Sequence, residues 1–281
     1  MTDFSDAAGG TVRLADGGLV PRIGLGTWPM DDAQAERVVA EAVGLGYRLV
    51  DTAFAYGNET GVGRGLKASG VPREDVFVTT KFNRESHSVA GVTRAFEDSA
   101  RKLGVEYVDL MLVHWPNPSY GRYVEAWEGL VALHELGKVR HIGVSNFLPE
   151  HLERIVAATG VTPVLDQLQV NPRHQQREAR AYNAAHGVLT QSWSPLGQGN
   201  GLVELPLFAD LAHKHGCTPG QVILGWHLAQ GLVTIPKSSD AQRLRDNLAA
   251  ADVVLDPTDV ALLAALDGTE PNVADPNVFG H

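Results

Sequence analysis

Asp51-Thr52-Ala53-Phe54-Ala55-Tyr56-Gly57-Asn58-Glu59 follows an apolar helix pattern and a short strand, Tyr47-Arg48-Leu49-Val50. An acid therefore stands at the carboxyl end of a strand, with a phenol a few residues on in the loop. That arrangement is weak evidence alone. It gains force from the next two strands, Val76 to Lys81 and Tyr107 to His114, which end in an amine and an imidazole. Polar groups gathered at successive strand ends suit a barrel, where chemistry collects at the carboxyl face.

Strand and helix patterns alternate on either side of this stretch. Val12-Arg13-Leu14 and Val20-Pro21-Arg22-Ile23 flank Asp16-Gly17-Gly18, which reads as a β-hairpin over 11–23. Ile23 to Trp28 reads as the first buried strand. Helices are expected over Asp32 to Leu45, Thr60 to Ala68, Val89 to Leu103, Gly121 to Leu136, Pro149 to Ala158 and Gln175 to His186. Further helices are expected over Pro206 to His215, Thr218 to Ala229, Ala241 to Ala249 and Thr258 to Leu266. The remaining strands are Val139 to Val144, Val164 to Val170, Val188 to Trp193 and Leu232 to Pro236. The tail 268–281 is rich in Pro, Asn and Asp and reads as irregular. No composition break divides the chain. Residues 1–281 are read as one α/β domain, a (β/α)₈ TIM barrel with an N-terminal hairpin and extra helices. An open doubly wound sheet is the alternative, and the even alternation disfavours it.

Composition narrows the partners. The chain has 281 residues, 23 basic and 33 acidic, a net charge of −10. That disfavours a nucleic-acid surface. One cysteine, Cys217, rules out an internal disulfide and fits a reducing compartment. The N-terminus has no signal-peptide pattern and no apolar run is long enough to span a membrane. A cytoplasmic, monomeric protein is expected. His213 and His215, separated by Lys214 on a helix, point to different faces, so no metal site is expected.

Asp51, Tyr56, Lys81 and His114 form the candidate catalytic set. A phenol with a pKa of ~10 is reluctant to donate its proton at neutral pH. A lysine ammonium about 4 Å away contributes roughly 4 kcal/mol at an effective dielectric near 20. That is about a thousandfold in acidity. Burial would strip the lysine of its proton, and Asp51 offsets this by pairing with it. His114 is placed to orient a substrate oxygen. The set suits protonation of a carbonyl oxygen as hydride reaches the carbon. Side chains cannot donate hydride, so a nicotinamide is required.

Gly61-Val62-Gly63-Arg64-Gly65 lacks the strand and spacing of a dinucleotide fingerprint and reads as close packing of a helix. The better cofactor site is late in the chain. Ile235-Pro236-Lys237-Ser238 ends the last strand, and Arg243 lies on the following helix, where barrels often bind phosphate. Ser145, Asn146 and Gln167 end the fifth and sixth strands with groups suited to a carboxamide. Trp193 ends the seventh with a surface for a flat ring.

Seven stretches together resemble the aldo-keto reductase family. They are Gly24 to Trp28, Asp51-Thr52-Ala53 with Tyr56 and Asn58-Glu59, Thr79-Thr80-Lys81, Leu112 to Pro116, Ile142 to Phe147, Ser192 to Gly197, and Ile235 to Ser238. The pattern is similar to the prokaryotic branch that includes 2,5-diketogluconate reductases. The resemblance implies NADPH-dependent reduction of aldehydes and ketones, with Tyr56 as acid, Lys81 and Asp51 as its tuners, and His114 as orienter. It assigns Ser194, Leu196, Lys237, Ser238, Arg243 and Asn247 to the pyrophosphate and adenosine phosphate. Phe82-Asn83 replaces the family's frequent Leu-Trp, Asp246 stands where glutamate is common, and Pro116 to Tyr120 is short. Trp28, Phe54, Phe82 and Trp115 are expected on the pocket wall, with Phe279 as a further candidate. Two competing readings are a cofactor-holding sensor of the same fold and a carboxylate hydrolase. The intact catalytic set disfavours the first; the second needs another acid within ~5–10 Å of Asp51, and the sequence offers no evident partner.

Overall fold

A computed structural model describes residues 4, 7 and 9–280. Strands β1 (Thr11–Arg13) and β2 (Leu19–Pro21) form the antiparallel hairpin. Gly17 at its tip has φ +91°, a left-handed conformation that costs glycine nothing.

Eight parallel strands follow in chain order: β3 (Leu25–Gly26), β4 (Leu49–Asp51), β5 (Phe77–Phe82), β6 (Val108–Val113), β7 (Val139–Ser145), β8 (Leu165–Gln169), β9 (Leu189–Trp193) and β10 (Val233–Thr234). Ile23 bridges Thr234 in parallel, so the two ends of the sheet meet and close the barrel. Hydrogen bonds from Thr234 N to Arg22 O (2.9 Å) and from Gly24 N to Thr234 O (2.8 Å) hold this seam. The two strands flanking it are shorter than their sequence patterns suggest. Pro236 cannot donate to a ladder, which ends regular pairing there.

Helices α1 (Asp32–Gly44), α2 (Glu59–Ala68), α3 (Val89–Leu103), α4 (Tyr123–Glu135), α5 (Pro149–Thr159), α6 (Arg177–Ala185), α7 (Pro206–His215), α8 (Pro219–Ala229), α9 (Ala241–Ala249) and α10 (Pro257–Ala264) accompany the strands. Their starts are written locally. Asp31 accepts from Gln34 N (2.8 Å) to cap α1, and Ser88 accepts from Gly91 N (3.1 Å) to cap α3. The glycines of α2 are packing positions. A Cβ at Gly61 would overlap the Asp32 carbonyl of α1, and one at Gly63 the carbonyl of Leu103.

Period-two alternation sorts the strand residues. Leu49, Phe77, Leu110, Leu165 and Val233 face the lumen, where Leu14 and Val20 of the hairpin join them. Val50, Val78 and Met111, each one residue on, pack against the helices. Each such buried side chain contributes ~1.5–3 kcal/mol. The hairpin thus stoppers the amino end of the barrel and leaves the carboxyl end for polar groups. Beyond α10 the described residues form no regular element, and they run back toward that polar end. Gln169 Nε2 donates to Asn272 O (2.7 Å), Asn171 Nδ2 donates to Glu270 Oε2 (2.9 Å), and the Phe279 ring lies 4.8 Å from that of Trp115.

Candidate active site

Asp51 is the last residue of β4, and alternation from Leu49 turns it into the lumen. Lys81 on β5, four residues beyond Phe77 and two beyond the Thr79 that pairs with Asp51, turns into the lumen by the same rule. Its ammonium donates to Asp51 Oδ1 (2.5 Å), to Thr52 O (2.9 Å) and to the Tyr56 hydroxyl (3.3 Å). Asp51 and Lys81 are at most 1% exposed, so little solvent screens the pair. Gln167 Nε2 donates to the other Asp51 oxygen (2.7 Å) and to Gln191 Oε1 (2.6 Å).

The loop carrying Tyr56 is anchored by the residues that follow it. Asn58 is fully buried; its Nδ2 donates to Thr27 O (3.1 Å) and Met30 O (3.0 Å), and its Oδ1 accepts from Thr52 Oγ1 (2.8 Å). Tyr56 itself is half-buried. The His114 ring meets it edge-on with centroids 5.9 Å apart. His114 Nδ1 lies 3.2 Å from Asn83 Oδ1. The four candidate catalytic side chains are therefore linked in one run of contacts, Asp51 to Lys81 to Tyr56 to His114.

The electrostatics depart from the sequence expectation at one place. Burial alone would push the Lys81 ammonium down, but Asp51, together with Tyr56, holds its pKa above the usual lysine value. Burial pushes the Asp51 carboxyl up, opposed by Lys81 and by the Gln167 hydrogen bond. The Tyr56 phenol was expected to fall. Its net direction is upward, because burial and the Asp51 charge outweigh the lowering by Lys81. The cation lies closer to the carboxylate than to the phenol, so its field at the hydroxyl is largely offset.

On the far side of the mouth, Ser145 Oγ donates to Gln167 O (2.8 Å). Asn146 Nδ2 donates to His114 O (3.1 Å) and Ser145 Oγ (2.9 Å), and Asn146 Oδ1 accepts from Trp193 Nε1 (2.9 Å). The half-exposed Trp193 ring is thereby pinned at the end of β9. Asn146 and Ser194 both hold left-handed backbone, with φ +61° and +51°. Such strain in non-glycine residues is concentrated at functional sites. Leu196 packs against the cluster formed by α6, α7, α8 and α10.

Lys237 and Arg243 are exposed beyond β10 and at the start of α9, and neither forms an ion pair with a described residue. Ser238 is 6% exposed and its Oγ accepts from Asp240 N (3.2 Å). Asn247 is buried and its side chain bonds the Tyr47 hydroxyl.

The expected pocket wall needs correction. Phe82 is 1% exposed and packs in the sheet–helix layer. It follows Lys81 by one residue, so alternation sends it to the opposite face. Phe54 carries the Lys102 ammonium of α3 over its ring at 3.8 Å. Lys102 also lies 3.6 Å from Glu59, whose carboxylate binds the outward-facing Thr80. Phe54 therefore turns to the helix side. Trp28 is half-exposed, and Trp115 packs between Trp193 and Phe279, at 6.4 and 4.8 Å. Sequence reading missed Gln191 and Asn83; the inward parity of β9 and the proximity of Asn83 to Lys81 were the available signals.

The model of the aldo/keto reductase family matches residues 22–267. The methylglyoxal reductase DkgA of Salmonella typhimurium is 43% identical over 96% of this chain and 98% of its own length. The crystal structure of Gox0644 in its apo form superposes with a TM-score of 0.91 at 44% identity, covering 96% of this chain and 98% of that one. A Gox0644 mutant crystallised in complex with NADPH gives a TM-score of 0.91 at 43% identity, with the same coverage. This chain belongs to the aldo/keto reductase family.

Proposed function

We propose that this protein reduces aldehydes and ketones to alcohols with NADPH, and that Tyr56, Lys81, Asp51 and His114 carry the proton side of the reaction. The observation that carries this reading is the Lys81 ammonium, bonded at once to the Asp51 carboxylate and the Tyr56 hydroxyl. NADPH-bound relatives support the cofactor. So do residues of this chain: a pinned, half-exposed indole at the end of β9 and, beyond the neighbouring β10, two cations that form no ion pair with a described residue.

When bound, NADPH supplies hydride to the carbonyl carbon. As charge develops on the carbonyl oxygen, Tyr56 transfers its hydroxyl proton there. Burial keeps the phenol protonated until that moment. Lys81 then stabilises the phenolate, and Asp51 keeps Lys81 charged. Solvent returns the proton to Tyr56. His114 orients the carbonyl oxygen. Ser145, Asn146 and Gln167 would hold the carboxamide, and Trp193 would offer its face to the nicotinamide ring. Ser194 and Leu196 would line the pyrophosphate, while Lys237, Ser238, Arg243 and Asn247 would take the adenosine phosphate and adenine.

The relatives' name brings methylglyoxal forward as the first carbonyl to test. NADPH oxidation with methylglyoxal, followed at 340 nm, is expected for the wild type. In Tyr56→Phe, kcat is expected to fall about 10²–10⁴-fold with NADPH affinity nearly unchanged. Undiminished turnover in that variant refutes the assignment.

A further inference from the structure

We propose that the cleft between α6 and α8, at the hairpin end of the barrel, is a second, non-catalytic site for a small organic oxyanion: a phosphate ester or carboxylate on a flat apolar body. A cavity of about 620 Å³ opens there, within the ~300–1,000 Å³ of ordinary ligand pockets. Arg13, Arg177 and Arg180 line it, and no described lining residue carries a carboxylate. Two of these guanidinium groups, Arg13 and Arg180, form no ion pair with a described residue, on a chain of net charge −10.

Arg180 is the centre of the argument. Its Nη1 donates to Gln175 O (3.2 Å) and its Nη2 to Gln230 Oε1 (3.0 Å), both neutral acceptors. Its Nε is buried without a hydrogen-bond partner. It forms no ion pair with a described residue, and burial together with Arg177 pushes its pKa down, only partly opposed by Asp267. A half-buried cation satisfied only by neutral groups is costly, and a bound oxyanion would offset that cost. Arg13 is exposed, and its Nη1 donates to Gly17 O (3.0 Å), again with no carboxylate. Arg177 alone is paired, with Asp267 at 2.9 Å. Guanidinium forks match phosphate and carboxylate groups bidentately. Beside them, Trp226, Leu189 and Leu232 supply the apolar wall for the ligand's body. Leu189 begins β9, whose other end carries Trp193, so this apolar wall lies at the opposite end of that strand from the mouth.

The test is calorimetric titration of the NADP⁺-saturated protein with phenyl phosphate, benzoate and phenol. Saturation with NADP⁺ occupies the phosphate site that Lys237 and Arg243 are proposed to form. One-to-one binding of phenyl phosphate or benzoate is expected, with phenol at least about tenfold weaker. Whichever anion binds more tightly identifies the head group. Arg180→Gln and Arg13→Gln are each expected to weaken that anion about ten- to hundredfold, while Tyr56→Phe leaves it unchanged. No binding of either anion, phenol binding as tightly, or full affinity in the arginine variants overturns the proposal. If Arg180→Gln does not fold, the exposed Arg13→Gln decides the matter.

Discussion

The two ends of the barrel are built from the same strands and do opposite things. At the amino end, Leu49, Phe77, Leu110 and Leu165 fill the lumen and the hairpin closes it with Leu14 and Val20. Two to four residues further along the same strands stand Asp51, Lys81 and Gln167, joined by hydrogen bonds of 2.5–2.7 Å. The apolar end gains free energy by excluding water. The polar end spends part of it to hold a carboxylate and an ammonium out of water, which favours the folded state only while both partners remain. Stability and chemistry are therefore separated along the barrel axis, and mutations should separate them too.

The largest effect is expected at the polar end. Lys81→Met should lower kcat for carbonyl reduction about 10²–10⁴-fold, measured by single-turnover NADPH oxidation. A loss below about tenfold would mean that the ammonium is not the group that tunes Tyr56. Leu110→Ala at the other end should cost ~2–5 kcal/mol of stability, read by urea unfolding, with kcat and KM close to wild type. A loss of kcat per folded molecule would show that the two ends are not independent. Arg243→Ala should weaken NADPH about ten- to hundredfold and NADH little, by fluorescence titration. Equal losses would remove the 2′-phosphate from its role.

The smallest effect concerns a histidine in the loop after β5. His87 is buried, neither ring nitrogen has a hydrogen-bond partner among the described residues, and burial, with Arg122 nearby, pushes its pKa down to about 4. Above the ordinary value of 6.5 neither folded nor unfolded chain protonates this ring. Between 6.5 and about 4 the unfolded chain takes a proton that the folded chain refuses. Stability should therefore fall as pH drops through that window, by about 1 kcal/mol per pH unit from this group. His87→Phe should flatten the fall in a thermal-melt series across that range, and an unchanged slope would place the sensitivity elsewhere.

Much of this was legible in the residues. Helix caps such as Asp31 and Ser88, and the even alternation of strand and helix, carry the barrel. The order of Asp51, Tyr56, Lys81 and His114 carries the mouth. Phe82 leaves the expected pocket wall because its position one residue after Lys81, and not its aromatic character, decides which face it takes. Asn146 and Ser194 in left-handed backbone leave no composition signal. The return of the tail through Glu270, Asn272 and Phe279 depends on contacts some 100 residues or more apart, which no local pattern records. The direction of the Tyr56 pKa depended on the relative distances of Lys81 to two partners, a quantity only coordinates supply.

The claim on which the account rests is that Asp51 keeps Lys81 charged beside Tyr56. The measurement that tests it most directly is the pH profile of kcat/KM for methylglyoxal reduction in the wild type and in Asp51→Asn. Removing the carboxylate withdraws what holds the Lys81 proton and also what raises the phenol, so both groups lose their protons at lower pH. The account predicts that the alkaline limb of the profile moves toward acid in Asp51→Asn. A limb that stays in place, or moves toward alkali, would contradict it.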